Sequence, residues 1–228
     1  MARIPRVVLP GIPHHVTQRG NRRQEVFFSP QDYQTYLDFI AEGCAEAQAH
    51  CWAYCLMPNH VHLILVPPDA DGLRKTLSEA HRKYTRMINL RNQWRGHLWQ
   101  ERFHSFPMDE QHLYAAVRYV ELNPVRAGLV VSAEDWPWSS THAHISGDNN
   151  LLVDVSPMIE RVGDWRSYLE QTDEVINVDT MRKHSRTGRP LGDESFIQNA
   201  ETIAGRALRS GRPGPRKFET NEEVVMRG

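Results

Sequence analysis

Several things are scarce in this sequence. No apolar run approaches the roughly 20 residues of a membrane span. The opening MARIPRVVLPG lacks the apolar segment of a secretory signal, so a cytoplasmic location is expected. Only three cysteines occur, Cys44, Cys51 and Cys55. An odd count in a chain this long excludes a disulfide framework and points to reduced thiols packed in the core. The C-x3-C pair would need two further ligands nearby to make a zinc knuckle. An excess of one charge is missing too: the 228 residues carry a formal net charge of −1. With 40% hydrophobic and 24% charged residues, the composition is that of a globular protein with one sizeable domain plus an extension.

The neutral total hides an uneven map. Residues 132–180 hold ten acids against Arg161 and Arg166. Residues 181–217 hold nine bases against Asp193, Glu194 and Glu201. Between 74 and 102 stand Arg74, Lys75, Arg82, Lys83, Arg86, Arg91, Arg95 and Arg102, against Glu79 and Glu101. Basic patches of this kind suit a polyanion, and they equally describe solvated helix faces.

PHHVTQRG (13–20) reads as a strand ending at Gly20, followed by the basic loop NRRQ. Ser29-Pro30 is a helix start, and Tyr33, Tyr36, Leu37, Ile40, Ala41 and Cys44 then recur at helical spacing. CWAYCLM (51–57), the turn Pro58-Asn59 and HVHLILV (60–66) predict a hairpin. Leu73, Leu77, Ala80, Tyr84, Met87 and Ile88 predict a helix over 72–92. The aromatic-rich GHLWQERFHSFPM (96–108) predicts a strand or ribbon. Asp109 caps a helix to about Leu122, which Pro124 stops through its restriction on Asn123. This order predicts an α+β fold: a ferredoxin-like antiparallel sheet with helices packed on one face, over residues 1–145. Residues 146–228 form an extension, acidic then basic and partly flexible, of loop and short-helix character. EDWPWSSTHAHISGDNN reads as loop and RVGDWRSYLEQ as a short helix. The tail repeats RTGRP (186–190) and RSGRP (209–213), which suit either insertion into a minor groove or a flexible basic linker.

MPNHVHLILV (57–66) is the segment that asks for an explanation. In a strand, residues i and i+2 share a face about 6.6 Å apart. His60, His62, Ile64 and Val66 lie on one side; Val61, Leu63 and Leu65 lie on the other. Two imidazoles so placed can converge on a metal with bonds of about 2.1 Å, or each can bond separately to backbone or solvent. A metal would want a third ligand and an open position. Residues i and i+4 of a helix are neighbours. Of the seven tyrosines, only Tyr119 has a good oxygen ligand at i+4, Asn123. Taken singly, Tyr119 also reads as a packing residue and Asn123 as a helix end. Together they make a chemical proposal. A divalent ion can polarise a phosphodiester, and a tyrosine can then displace the leaving oxygen and keep the phosphate covalently. For a single strand of nucleic acid, Arg19, Arg22 and Arg23, with Lys75, Arg82, Lys83 and Arg86 on one helix and Arg102 beyond it, supply positive charge. Trp99 and Phe103 are candidate stacking platforms.

These residues resemble a known family. MPNHVHLILV resembles the His-hydrophobic-His (HUH) motif of single-tyrosine transposases, and RYVELNPVRAGLV (118–130) resembles their tyrosine helix. GIPHHVTQRGNRRQEVF (11–27) and GHLWQERFHS (96–105) resemble the REP-associated branch, and TGRPLGDESF (187–196) is a looser match. The resemblance implies that His60, His62 and Asn123 hold Mg²⁺ or Mn²⁺. It implies that Tyr119 attacks single-stranded DNA, leaving a 5′-phosphotyrosine and a free 3′-OH. The implied substrate is a hairpin from a repetitive extragenic palindrome flanked by a short guide tetranucleotide. It also implies a bacterial, nucleoid-associated protein, a monomer rather than a homodimer. Two other functions remain open from the residues alone: a non-catalytic binder of structured DNA or RNA, and a metal-dependent phosphoesterase whose nucleophile is water.

Overall fold

The computed structural model describes residues 6–171 and 178–209. Four strands form one antiparallel sheet: β1 (His14–Arg19), β2 (His50–Met57), β3 (His60–Val66) and β4 (His104–Pro107), in the order β2-β3-β1-β4. Helix α1 (Pro30–Ala47) connects β1 to β2, and α2 (Gly72–Arg91) connects β3 to β4. This is the ferredoxin-like arrangement expected from the sequence, and the hairpin through Pro58-Asn59 is its centre.

The alternation in β3 assigns its two faces. Val61, Leu63 and Leu65 join the apolar sides of α1 and α2 in one core, with Leu37, Ile40, Leu73, Leu77 and Tyr84. Those helices come unusually close. A Cβ on Gly43 would stand 2.3 Å from the Thr76 carbonyl oxygen, so only glycine fits there. Buried Asp32 of α1 receives two hydrogen bonds from Arg91 of α2, at 2.5 and 2.9 Å.

The second face is not open, as helices on one face alone would leave it. Ile64, Ala53, Cys55 and Phe106 are apolar there, and they need cover. Helix α3 (Glu110–Glu121) provides it with Leu113, Ala116, Val117 and Val120. Asp109 caps α3 by accepting the His112 N–H at 2.9 Å. Pro124 does not simply stop the helix. After a one-residue break at Leu122, α4 (Asn123–Arg126) begins with that proline in its first turn, where no N–H is needed.

The residues after 130 fold back onto the sheet: some cover this second face, Ala143, Leu152, Val153 and Val155 join the first core, and Ala200 and Leu208 pack against Val7 and Leu9. This segment forms α5 (Thr141–Ser146), α6 (Ser156–Val162), α7 (Trp165–Glu170), α8 (Val178–Thr187) and α9 (Glu194–Ala204). Thus the segment read as loop contains a short helix, α5. Met158, Trp165, Tyr168, Met181 and Leu191 enter the second core. Buried Glu121 ties α3 to this layer: its carboxylate accepts from Ser140 Oγ (2.5 Å), His144 Nδ1 (2.6 Å) and Trp165 Nε1 (2.8 Å). Backbone bonds also cover both sheet edges. Along β2 they run from Leu56 to Trp138, Ser140 to Tyr54 and Asp154 to Cys51; along β4, from Leu191 to Pro107.

Two other expectations change. The first RTGRP copy is no free arm: Gly188, at φ +70°, follows the end of α8, and Leu191 pairs with β4. Past Arg209, the second copy lies outside the described residues. Trp99 and Phe103 are buried in the chain's interior rather than presented for stacking. The three cysteines are free and buried, and burial pushes the Cys44 thiol up to about 12. No helix among the described residues is long and apolar enough to cross a membrane.

Candidate active site

β3 carries His60 and His62 on the face that α3 covers, and it runs between β1 and β2, with His60 opposite Arg19 and Met57, and His62 opposite Thr17 and Cys55. The two rings lie 4.9 Å apart, nearly perpendicular. Tyr119 comes from the last turn of α3 and Asn123 from the first of α4, so the short break between helices still leaves both on one side. The Tyr119 ring is 5.6 Å from His62 and 6.1 Å from His15. His60, His62, Tyr119 and Asn123 line one cleft of about 760 Å³. The tyrosine therefore meets the histidines of its own chain.

Hydrogen bonds orient both imidazoles. His60 Nδ1 lies 2.6 Å from Asn59 Oδ1, and an oxygen there can only accept, which puts the proton on Nδ1 and leaves Nε2 a lone pair. Asn59 in turn donates to the Arg23 carbonyl at 2.9 Å, joining the hairpin turn to the basic loop. His62 Nδ1 lies 2.8 Å from His15 Nε2. Burial, then the charge of Arg19, lowers His60 to about 4. Burial, then His60, His15 and two arginines, drives His62 well below its ordinary value. Both rings are neutral at neutral pH, the form that ligates a cation.

The residues fit a divalent ion. His62 Nε2 and Asn123 Nδ2 are buried without a hydrogen-bond partner. The amide of Asn123 can present oxygen or nitrogen by a half-turn. Two neutral nitrogens with an amide oxygen leave room for water and a phosphate oxygen. Among the described residues no group of three His, Cys, Asp or Glu side chains is arranged to hold a metal ion, so the third protein ligand here would be the amide.

Of the cationic side chains singled out by sequence, Arg19, Arg23 and Arg102 line the cleft. Arg22 is exposed beside it, and Arg22 and Arg23 both adopt positive φ, at 54° and 62°. Lys75, Arg82, Lys83 and Arg86 are not brought to the site. Their helix packs on the opposite face of the sheet. Lys75 pairs with Asp69, Arg82 with Glu79 and Lys83 with Glu42, while Arg86 is exposed. Sequence reading missed Arg126, whose guanidinium sits 4.4 Å over the Tyr119 ring and donates to the Tyr119 carbonyl. Its position seven residues after the tyrosine, two turns along, was the available signal. It also missed Gln18, His104, Arg182, Ser185 and Arg186, which line the same cleft.

Residues 10–123 match the family described as Transposase IS200 like, and the chain belongs to that family. Its relatives include the REP-associated tyrosine transposase of Escherichia coli (strain K12), 27% identical over 127 residues, which span 55% of this chain and 73% of that protein. Among solved structures, a REP-associated tyrosine transposase bound to a REP hairpin has the same fold, with a TM-score of 0.53 and 24% identity, over 68% of this chain and 93% of that one.

Proposed function

We propose that the cleft is the active site of a metal-dependent strand transferase acting on single-stranded DNA hairpins of the repetitive extragenic palindromic kind. The observation that carries this reading is the approach of Tyr119 to His62, 5.6 Å between rings, at the wall of a cleft they share. A binding module would need neither residue. The relatives' names, one of them for a protein bound to a REP hairpin, support the choice of substrate.

His60, His62 and Asn123 would hold Mg²⁺ or Mn²⁺, which supplies charge stabilisation at a phosphate oxygen. The Tyr119 Oη attacks the phosphorus in line with the 3′ oxygen. The bond from phosphorus to that oxygen breaks as the tyrosine–phosphate bond forms, and the phenol's proton is balanced by the proton gained at the free 3′-OH. Arg126, against the ring face, is placed to offset negative charge on the phenol during attack. The energy of the ester bond is kept in the 5′-phosphotyrosine, so a second 3′-OH can reverse the step.

Because Tyr119 meets the histidines of its own chain, one copy holds the whole set, which supports a monomer. We read residues 1–145 as the catalytic unit and 146–228 as an extension of it, with association to the nucleoid through DNA. The test is a denaturing gel of labelled hairpin with Mn²⁺ or EDTA, for wild type and Tyr119→Phe. An SDS-resistant adduct that needs the cation and the phenol is the expected result. Binding without an adduct would mean a DNA-binding protein, and multiple turnover without an adduct would mean that water is the nucleophile.

A further inference from the structure

Helix α8 belongs to the extension, yet it forms a wall of the cleft. Met181 is 1% exposed and packs into the second core, and His184, beside the Phe106 ring at 5.8 Å, bonds the Arg189 carbonyl through Nδ1 at 2.9 Å. These two residues anchor one side of α8 to the sheet. Arg182, Ser185 and Arg186, at i, i+3 and i+4, then fall together on the adjoining side, and all three line the cleft. Arg182 and Arg186 are exposed.

The charge around them is one-sided. Arg19, Arg23, Arg102, Arg182 and Arg186 line the cleft, with Glu101 the sole carboxylate among its lining residues. Arg182 is close enough to disfavour the charge on Arg19 and on Arg126, which partial burial already opposes. Its partner Asp179 is 3.6 Å away, with both side chains mostly exposed, a pair of little energetic weight. In a chain of net charge −1, cations gathered against their own repulsion beside a tyrosine fit an anionic occupant. A cleft of about 760 Å³ is on the scale of pockets that hold a small molecule, which is room for a short stretch of one strand.

We propose that α8 of the C-terminal extension is a phosphate-binding wall of the cleft, with Arg182 and Arg186 contacting successive phosphates of a single strand that lies in it. This rests on reading the cleft as a DNA site, but not on the tyrosine chemistry. Arg186, at the C-terminal end of α8, and Arg182, one turn earlier, would grip the strand together with Arg19 of the neighbouring β1.

The test is binding of fluorescein-labelled (dT)20 to the full chain carrying Tyr119→Phe, in EDTA, across a salt series. Arg182→Gln/Arg186→Gln is expected to weaken binding about tenfold at moderate salt, and to make the slope of log K against log salt shallower by about 1.4, the value for two lost single-strand phosphate contacts. Arg182→Lys/Arg186→Lys is expected to keep most of the affinity. Arg166→Gln, which removes a cation paired with Glu134 on the surface, is the control and should change neither quantity. An unchanged slope in the Gln variant, an equal loss in the control, or an equal loss for a blunt duplex would overturn the assignment. Since neither metal nor Tyr119 takes part, absence of an adduct in the gel assay would sink the transfer chemistry and leave this result standing, and the reverse also holds.

Discussion

His15 Nε2 and His62 Nδ1 lie 2.8 Å apart, with their rings stacked at 5.1 Å and 5° between planes. Burial, then the charge of His60, lowers His15 to about 3, so it stays neutral and can accept a proton. If His62 Nδ1–H donates to it, the lone pair of His62 Nε2 is left for a cation. This is the outer-shell support that metal-binding imidazoles generally have. His15→Ala should therefore weaken Mn²⁺ binding by about 10–100-fold. The measurement is calorimetry on Tyr119→Phe protein, with circular dichroism as the check on folding. An unchanged affinity would remove His15 from the site.

Acid should destabilise the fold, and His81 isolates one cause away from the cleft. It bonds Tyr36 Oη at 2.9 Å, and burial lowers it from 6.5 to about 3. Below pH 6.5 the unfolded chain binds a proton that the folded chain refuses, so stability present above 6.5 is lost as pH falls towards the folded value. His81→Gln should flatten the fall between pH 6 and 4 by about 1.4 kcal/mol per pH unit. Urea midpoints at a series of pH values measure it. Parallel curves for the two proteins would show that His81 is not the group responsible.

The buried Glu121 carboxylate depends on each of its three donors. Trp165→Phe removes the indole N–H, 2.8 Å away, and leaves an oxygen unsatisfied in the interior. The expected cost is about 1–3 kcal/mol in urea unfolding. A loss below a few tenths would mean that water reaches the carboxylate.

Gly43→Ala should also destabilise, by about 1–3 kcal/mol, because the new Cβ meets the Thr76 carbonyl oxygen at 2.3 Å and α1 and α2 must part. Thermal unfolding reads this directly. A neutral or stabilising result would show that the helices slide apart freely.

Much of this was legible in the residues. Alternation in 60–66 gave the strand and put both histidines on one face, and helical spacing gave α1, α2 and the Tyr119/Asn123 pair. The cations of α2 misled because charges gathered on one helix do not show what that helix face meets; here it meets solvent and the acids Glu79 and Glu42. The cover on the second face was harder to see, since Ile64 is the lone strong apolar signal between two histidines and Val66. The contribution of α8 was invisible. Its arginines follow His62 by well over a hundred residues, and no periodicity records where a distant helix docks.

The backbone bonds along β2 and β4 have a consequence for handling the protein. An uncovered strand edge is a template for another strand, and natural sheets guard against it. The guards here come largely from the chain beyond the sheet: Trp138, Ser140 and Asp154 beside β2, Leu191 beside β4. A chain cut after residue 145 would retain every candidate catalytic side chain yet uncover the edge of β4 at Pro107 and of β2 at Cys51. It would then be prone to join copies of itself edge to edge, so the extension guards solubility as well as shaping the cleft.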